Sequence, residues 1–155
     1  MLLRFRTENH RSLRDDAELS LVASDAHGAV PSDGSWQGFT TRVAGIYGAN
    51  ASGKSNVLHA LDFMCRAVMF SATRWGADEA FPYSPFSLDA TSCARPSTYE
   101  VDLVVERRDG RILALEVKLA STITDRDVKH LTWLQEELGP KLLDTVVIST
   151  GPQAY

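Results

Sequence analysis

One octapeptide constrains this chain more than any other feature, because it fits the pattern G-x-x-x-x-G-K-[ST] of loops that cradle nucleotide phosphates. It reads Gly-Ala-Asn-Ala-Ser-Gly-Lys-Ser and occupies residues 48–55. A loop of this length that opens a helix turns several backbone N–H groups inward, and the helix N-terminus adds a favourable dipole. Together these groups form a cage for an anion, and a triphosphate fits such a cage.

The loop residues have separate expected roles in binding ATP and Mg²⁺. Lys54 reaches the β and γ phosphates as a point charge, and the Ser55 hydroxyl completes the shell of a Mg²⁺ ion. Gly48 and Gly53 allow close backbone approach and unusual dihedral angles. The predicted nucleotide-binding residues are Gly48, Ala49, Asn50, Ala51, Ser52, Gly53, Lys54, Ser55 and Asn56, with Ser55 also a metal ligand.

The flanks of the loop have the order strand, loop, helix that the motif requires. Residues 43–47 are a short apolar run of the kind found in buried parallel strands. After the loop, apolar residues recur on one face of a helix at Val57, Leu58, Leu61, Met64, Cys65, Val68 and Met69. The alternative is a Gly/Ser-rich turn that contains a lysine by chance, and the flanks favour the phosphate loop.

The composition is that of an ordinary soluble globular protein. With 155 residues, 44% hydrophobic and 23% charged, the chain has room for one domain or two small ones. No apolar run approaches the length of a bilayer span and the first residues lack a secretory signal core, so we expect a cytoplasmic protein without a membrane partner. The net charge of −4 does not indicate a nucleic-acid surface, and two cysteines do not indicate a disulfide framework.

Outside the loop, the pattern predicts two domains, 1–95 and 96–155. The first begins with strands over 2–7 and 17–23, which we expect to pair as a hairpin. The boundary lies in a long irregular stretch rich in proline, since such stretches are uncommon inside compact domains. After the boundary, the spacing of apolar residues predicts strands over 99–106 and 111–119, a helix over 125–138 and a strand over 145–149.

Packing alone fixes the register of the first two strands after the boundary. A three-residue turn that ends at Gly110 pairs apolar residues with apolar residues. The same register places Asp102 opposite Glu116 and Glu100 opposite Lys118. Two facing carboxylates repel unless one is protonated or a cation lies between them. A divalent metal held by Asp102 and Glu116, with Lys118 beside it, is the hydrolytic interpretation, and a plain solvent-facing strand surface is the alternative.

These residues resemble the PD-(D/E)xK core of restriction-endonuclease-like nucleases. The similarity rests on Asp102 and on Glu116-Val117-Lys118, followed by a helix and a strand. More narrowly, the segments 100–104 and 116–121 resemble the C-terminal domain that follows an AAA-type ATPase module in a widespread group of bacterial proteins. The resemblance implies that Asp102, Glu116 and Lys118 are catalytic, that Asp102 and Glu116 bind metal, and that DNA is a partner. The helix and strand that precede this core in the family are not recognisable, so the unit is incomplete.

The first part of the chain resembles a different family. Residues 4–13, 18–21 and 47–56 are similar to the opening of RecF/SMC-like AAA ATPases, including the overcoming-lysogenisation-defect group. The resemblance implies ATP and Mg²⁺ as cofactors, and either self-association or a partner ATPase. The acidic Walker B strand and the signature sequence of that family are not found. The chain therefore resembles a truncated or fused ATPase that binds ATP without efficient turnover.

The sequence thus predicts an α/β fold, in which a partial P-loop NTPase sheet is followed by a small α/β restriction-endonuclease-like unit. The predicted function is ATP binding by the AAA/RecF-SMC-like P-loop class, with hydrolysis left open. A metal-dependent PD-(D/E)xK-type DNA nuclease and a degenerate interaction domain without catalysis are the alternatives. One structural observation would be most informative about these alternatives. It is whether the strand bearing Asp102 lies beside a strand ending at Tyr47 in one sheet or belongs to a separate hairpin domain.

Overall fold

The structure, a computed structural model, describes residues 1–23, 36–74, 84–119 and 128–149. The strands in this part of the chain are β1 (Leu2–Glu8), β2 (Ala17–Ser20), β3 (Thr98–Glu106), β4 (Ile112–Lys118) and β5 (Leu142–Ser149). Its α-helices are α1 (Lys54–Arg74), α2 (Ala90–Ala94) and α3 (Lys129–Leu138). Short 3-10 turns cover Trp36–Gly38 and Gly139–Lys141. The fold is therefore mixed α/β, which is the predicted class.

The strands form one sheet in the order β2-β1-β3-β4-β5. β3 and β4 are antiparallel, whereas β4 and β5 are parallel and are joined through α3. A parallel pair needs such a crossover because a tight turn cannot return the chain to the same end of the sheet. The strand that carries Asp102 is β3, and its neighbours are β1 and β4.

The chain divides into two compact units, each built from separate stretches of sequence. The first comprises Met1–Phe5, Ser20–Gly45 and Glu100–Tyr155, and the second comprises Arg6–Leu19 and Ile46–Tyr99. β1 and β3 each contribute residues to both units. The division into domains 1–95 and 96–155 stays a prediction.

Residues 43–47 do not form the buried strand that their apolar run predicts. The segment is irregular, and Val43 and Tyr47 are 86% and 93% exposed. An apolar run becomes a strand only where neighbouring strands pair its N–H and C=O groups and other elements cover its side chains. The sheet formed by β1 to β5 does not include this segment, so the prediction of a strand was wrong here.

Helix α1 begins at Lys54, within the predicted loop-to-helix junction, but it buries a different face. Its buried residues are Ala60, Phe63, Met64 and Ala67, which follow helical spacing. From the predicted stripe only Met64 is buried, while Leu58, Val68 and Met69 are 55%, 56% and 61% exposed. Apolar residues lie on more than one side of this helix, so periodicity alone does not select the side that packs. The helix is confirmed and its predicted buried stripe is wrong.

The register predicted for β3 and β4 is confirmed. Asp102 pairs with Glu116, Glu100 pairs with Lys118, and Gly110 in the turn has a φ of 78°. Both faces of the pair contribute to the core: on the apolar face Val101 and Val117 are 8% and 6% exposed, and the face that carries the carboxylates also packs apolar residues. The core on the carboxylate face comprises Trp36, Val104, Ile112, Ala114, Leu134 and Leu138. On the opposite face, which the pattern makes wholly apolar, Val105 is 50% exposed.

The remaining elements agree in kind with the predictions and differ in their bounds. β1 and β2 are neighbours, as the predicted hairpin requires, but β2 ends at Ser20. β5 begins at Leu142, three residues before the predicted start. The predicted helix over 125–138 is confirmed from Lys129 onward, and its first residues lie outside the described part of the chain.

Candidate phosphate loop and acidic cluster

The predicted phosphate loop forms a tight, exposed turn that leads directly into α1. Ala51 and Gly53 lie in the left-handed region, with φ of 63° and 87°. The Ser52 N–H donates to the Ala49 carbonyl at 3.3 Å and closes the turn. Left-handed residues within a turn direct neighbouring N–H groups to one side, which forms a concave anion site. The backbone is thus curved through the loop and helical only from Lys54.

The Lys54 side chain folds back across this turn. Its Nζ donates to the carbonyl oxygens of Gly48 at 2.9 Å and Ala49 at 2.5 Å. The ammonium group therefore lies beside the first two residues of the loop, although Lys54 is near its end. Ser55 is exposed in the first turn of α1, where the N–H groups have no acceptor within the helix itself.

Both glycines of the loop occupy positions that a larger residue would disturb. A Cβ on Gly48 would lie 2.8 Å from the Ser52 Oγ. A Cβ on Gly53 would lie 2.8 Å from Leu13 Cδ2, and the positive φ there adds backbone strain for any other residue. The positive φ of Gly53 therefore favours glycine there, whereas the contact at Gly48 is with the end of a side chain that can move.

Residues 9–13, which the sequence did not mark as site residues, support the loop within the same unit. Asn9 is fully buried with a φ of 56°, and its Nδ2 donates to the carbonyl oxygens of Ser92 and Arg95 at 2.9 and 2.7 Å. Ser12 Oγ accepts a 2.6 Å hydrogen bond from Asn56 Nδ2 in α1. The positive φ of Asn9 is the one feature that sequence could have flagged, since asparagine tolerates that conformation best after glycine.

His10 anchors the same segment in a buried hydrogen-bonded chain. Its Nδ1 lies 2.7 Å from the Tyr99 hydroxyl, and its Nε2 lies 3.1 Å from His59 Nδ1 in α1. Burial, together with the neighbouring His59 and Arg11, lowers the pKa of His10 to about 4. Burial raises the pKa of Tyr99 to about 12. His10 and Tyr99 are therefore uncharged at neutral pH, and His10 packs against α1 through His59.

A second site, the acidic cluster, lies on the covered face of β3 and β4. It comprises Glu100, Asp102, Glu116 and His130, whose potential ligand atoms all lie within 4.8 Å of one another. The sheet register places the three carboxylates together, and the start of α3 supplies the imidazole. Glu116 is the most buried member, with a side chain that is 1% exposed.

Two basic side chains border the acidic cluster. Arg4 Nη2 lies 2.6 Å from Asp102 Oδ2, 3.5 Å from Glu100 Oε1 and 3.1 Å from His130 Nε2. Lys118 Nζ lies 3.6 Å from Glu100 Oε2. Among the described residues, two permanent cations thus lie beside the carboxylates of the cluster.

The pKa values of the acidic cluster follow from this charge balance and from burial. Burial raises the pKa of Glu116 to about 7, and the nearby Asp102 and Glu100 charges raise it further. Burial also raises the pKa of Asp102, although Arg4 opposes the shift. The Glu100 carboxylate raises the pKa of His130. The pKa values of Asp102, Glu116 and His130 are therefore all raised above their usual values.

The residues of the predicted phosphate loop lie together in the structure, and so do those of the predicted nuclease-like site. Residues 48–56 form one loop and helix start, and Asp102, Glu116 and Lys118 lie on one face of the sheet. Sequence reasoning did not find Arg4 or His130. Arg4 comes from β1 and His130 from α3, so only the fold brings them beside Asp102. Cys65 and Cys93 are free thiols, as expected.

Comparison with protein families identifies a P-loop ATPase-like domain. The family described as "AAA domain, putative AbiEii toxin, Type IV TA system" matches residues 43–148, which is more than half of the chain. The chain belongs to this family. The match covers both the phosphate loop and the acidic cluster. No curated protein and no solved structure matches the chain.

Within the described residues, no helix combines the length and the apolar character that a membrane crossing requires. α1 is the longest of these helices, and the ion pair between Asp62 and Arg66 lies on its exposed side.

Proposed function

We propose that this protein binds ATP together with Mg²⁺ through residues 48–56. The observation that carries the proposal is the position of Lys54, whose ammonium group folds over an exposed, curved loop at the start of a 21-residue helix. Membership of an AAA family supports it. A lysine held only by carbonyl oxygens can exchange them for phosphate oxygens, which are stronger acceptors for a cation.

In this proposal different loop residues bind different parts of the ligand. The N–H groups of residues 49–54 and of the first turn of α1 surround the phosphates. Lys54 lies against the β and γ phosphates, and the exposed Ser55 hydroxyl holds Mg²⁺. Glycine at position 48 avoids the contact that a Cβ there would make with Ser52. Bound Mg²⁺ would neutralise phosphate charge, and the remaining contacts come from this chain.

Hydrolysis is not part of the proposal. The sequence contains no apolar strand that ends in Asp-Glu, which is where P-loop enzymes hold the carboxylate that binds Mg²⁺. A second copy of the chain or a partner ATPase would supply that group if turnover occurs.

Calorimetric titration with ATP and Mg²⁺ tests the binding proposal. Lys54→Ala should weaken ATP binding about 10- to 100-fold, because a hydrogen bond to a charged group contributes about 1.5–3 kcal/mol. Lys129→Ala is the matched control, since Lys129 is an exposed lysine at the start of another helix. Equal affinities of wild type and Lys54→Ala would refute the phosphate-loop proposal.

The acidic cluster supports a second candidate, a metal-dependent DNA nuclease in which Asp102 and Glu116 bind metal. The pairing of Asp102 with Glu116 and the nearby Lys118 ammonium favour it, since a metal and a lysine together can activate water and neutralise phosphate. In this candidate residues 1–95 are a truncated P-loop domain and 96–155 are the nuclease-like unit.

Cleavage of double- and single-stranded DNA with Mg²⁺ or Mn²⁺ tests this candidate. Asp102→Ala and Lys118→Ala should each abolish cleavage, whereas Glu137→Ala, an exposed acidic residue of α3, should leave it unchanged. Cleavage that persists in both cluster variants would come from another site or a contaminant, and the nuclease candidate would be dropped.

A further inference from the structure

We infer that the acidic cluster binds one divalent transition-metal ion through Glu100, Asp102, Glu116 and His130. The nuclease candidate places metal on Asp102 and Glu116 alone and requires DNA cleavage. The present inference concerns the same place in the fold, adds an imidazole and a third carboxylate, and holds whether or not DNA is cleaved.

The spacing of the donor atoms fits one ion. All four lie within 4.8 Å of one another, and an ion bound at about 2.1 Å to each donor keeps them within about 4.2 Å. Side-chain rotations within ordinary rotamer wells close this gap. Three donors are fixed by the register of β3 and β4, and the fourth is fixed by the first turn of α3.

Glu116 provides an independent indication that the cluster takes a cation. Its side chain is 1% exposed, and within the described part of the chain neither carboxylate oxygen has a hydrogen-bond partner. A buried polar group without a partner is costly, and a native structure rarely leaves one. His130 Nε2 lies 3.8 Å from Glu116 Oε2, which is too far for a hydrogen bond. A bound ion would satisfy the carboxylate directly.

The donor set indicates the class of ion. Carboxylate oxygens alone favour Mg²⁺ and Ca²⁺, whereas an imidazole nitrogen among them favours Zn²⁺, Co²⁺ or Mn²⁺. The His130 side chain is 36% exposed, so an ion can reach the cluster from that side.

Arg4 competes with the ion for the same donors. Its guanidinium contacts Glu100, Asp102 and His130, three of the four donors. Binding therefore requires Arg4 to move toward solvent, and its side chain is already 25% exposed. Replacing Arg4 by a neutral residue should strengthen metal binding, because it removes a positive charge from the site.

Titration of the full chain with Zn²⁺ by calorimetry, and with Co²⁺ by visible absorption, tests the inference in the absence of nucleotide. We expect one ion per chain, an absorption band typical of Co²⁺ bound by nitrogen and oxygen, and a thermal midpoint that rises with Zn²⁺. Glu116→Gln and His130→Ala should each weaken binding at least tenfold. Glu137→Gln on α3 should leave it unchanged, and Arg4→Gln should bind several-fold more tightly.

Absence of stoichiometric binding, or wild-type affinity in both Glu116→Gln and His130→Ala, would overturn the inference. Far-UV circular dichroism checks that the variants are folded. If Glu116→Gln fails to fold, the metal affinity of His130→Ala tests the inference. The His130 side chain is partly exposed, so its replacement should leave the protein folded. Metal binding without DNA cleavage would support this inference and remove the nuclease candidate, so the two outcomes are separable. Loss of ATP binding in Lys54→Ala bears on neither.

Discussion

The phosphate loop and the acidic cluster differ in how the chain assembles them. The loop is made of consecutive residues, is exposed, and relies on backbone groups and one lysine. The cluster combines β3, β4, α3 and Arg4 of β1, and its central carboxylate is fully buried. A site made of consecutive residues can be identified from a sequence motif. A site made of residues from several elements can be identified only when strand register and helix packing are known.

The two sites also differ in their electrostatics. The loop is open to water, so Lys54 acts in a screened environment and gains strength only when a ligand excludes solvent. In the cluster, burial raises the pKa of Glu116 to about 7, and each added or removed charge changes the others. The charge of Lys54 in the loop is therefore screened by water until a ligand binds, whereas the charges of the cluster already interact with one another.

The largest expected effect tests whether the cluster shares its face with the core. Ile112→Ala should lower the free energy of unfolding by about 2–5 kcal/mol, because Ile112 is fully buried beside Val104 and Ala114. Val105→Ala, half-exposed on the opposite face of β3, should cost less than about 1 kcal/mol. Urea denaturation measures both, and equal effects would mean that α3 covers the other face.

The second prediction concerns the His10 chain that supports the loop. The pKa of His10 is about 4 when folded and about 6.5 when unfolded. At His10 the unfolded state therefore binds more protons between these values, so the contribution of His10 to stability should fall as pH drops from 6.5 to 4 and stay flat above 6.5. The loss is at most about 3 kcal/mol.

Thermal or urea unfolding from pH 4 to pH 8 measures this dependence, with His10→Phe as the comparison. The variant cannot titrate at this position, so its stability should change less steeply over the same range. Parallel pH profiles for wild type and His10→Phe would show that His10 does not stay neutral in the folded protein.

A third prediction compares two glycines that share a positive φ. Gly53→Ala should destabilise the protein by about 1–3 kcal/mol, because the new Cβ meets Leu13 and the backbone is strained. Gly110→Ala meets no atom within 4 Å, so only strain of about 1 kcal/mol remains. Gly53→Ala should also weaken ATP binding, which Gly110→Ala should not do. A larger loss in Gly110→Ala would contradict the described packing of the loop.

The smallest effect concerns α2, which supplies acceptors to Asn9. Asp89 caps this helix, accepting from the Ser92 N–H at 2.6 Å. Asp89→Ala should cost about 1 kcal/mol, and Asp89→Ser should retain most of the cap. If calorimetric unfolding shows no difference between Ala and Ser, the cap does not stabilise this segment.

The elements that sequence predicts best are those whose signal is local. The loop, the start of α1 near Lys54 and the turn at Gly110 each follow from a few adjacent residues. The register of β3 and β4 follows because a shift by one residue would pair apolar with polar side chains.

The errors have long-range causes. Residues 43–47 have strand composition, yet the observed sheet does not pair them. Both faces of β3 carry apolar residues, so only the packing of α3 selects the face that bears Asp102 and Val104. The roles of Arg4 and His130 depend on the same packing and have no sequence signal of their own.

Backbone amide chemical shifts during titration with ATP and Mg²⁺ test the central claim most directly. We predict that the amides of residues 48–56 shift most, in saturable fashion, because their N–H groups would bind phosphate. Lys54→Ala should require much higher ATP concentrations for the same change. Shifts confined to other residues, or none at millimolar ATP, would contradict the account of this loop as a nucleotide site.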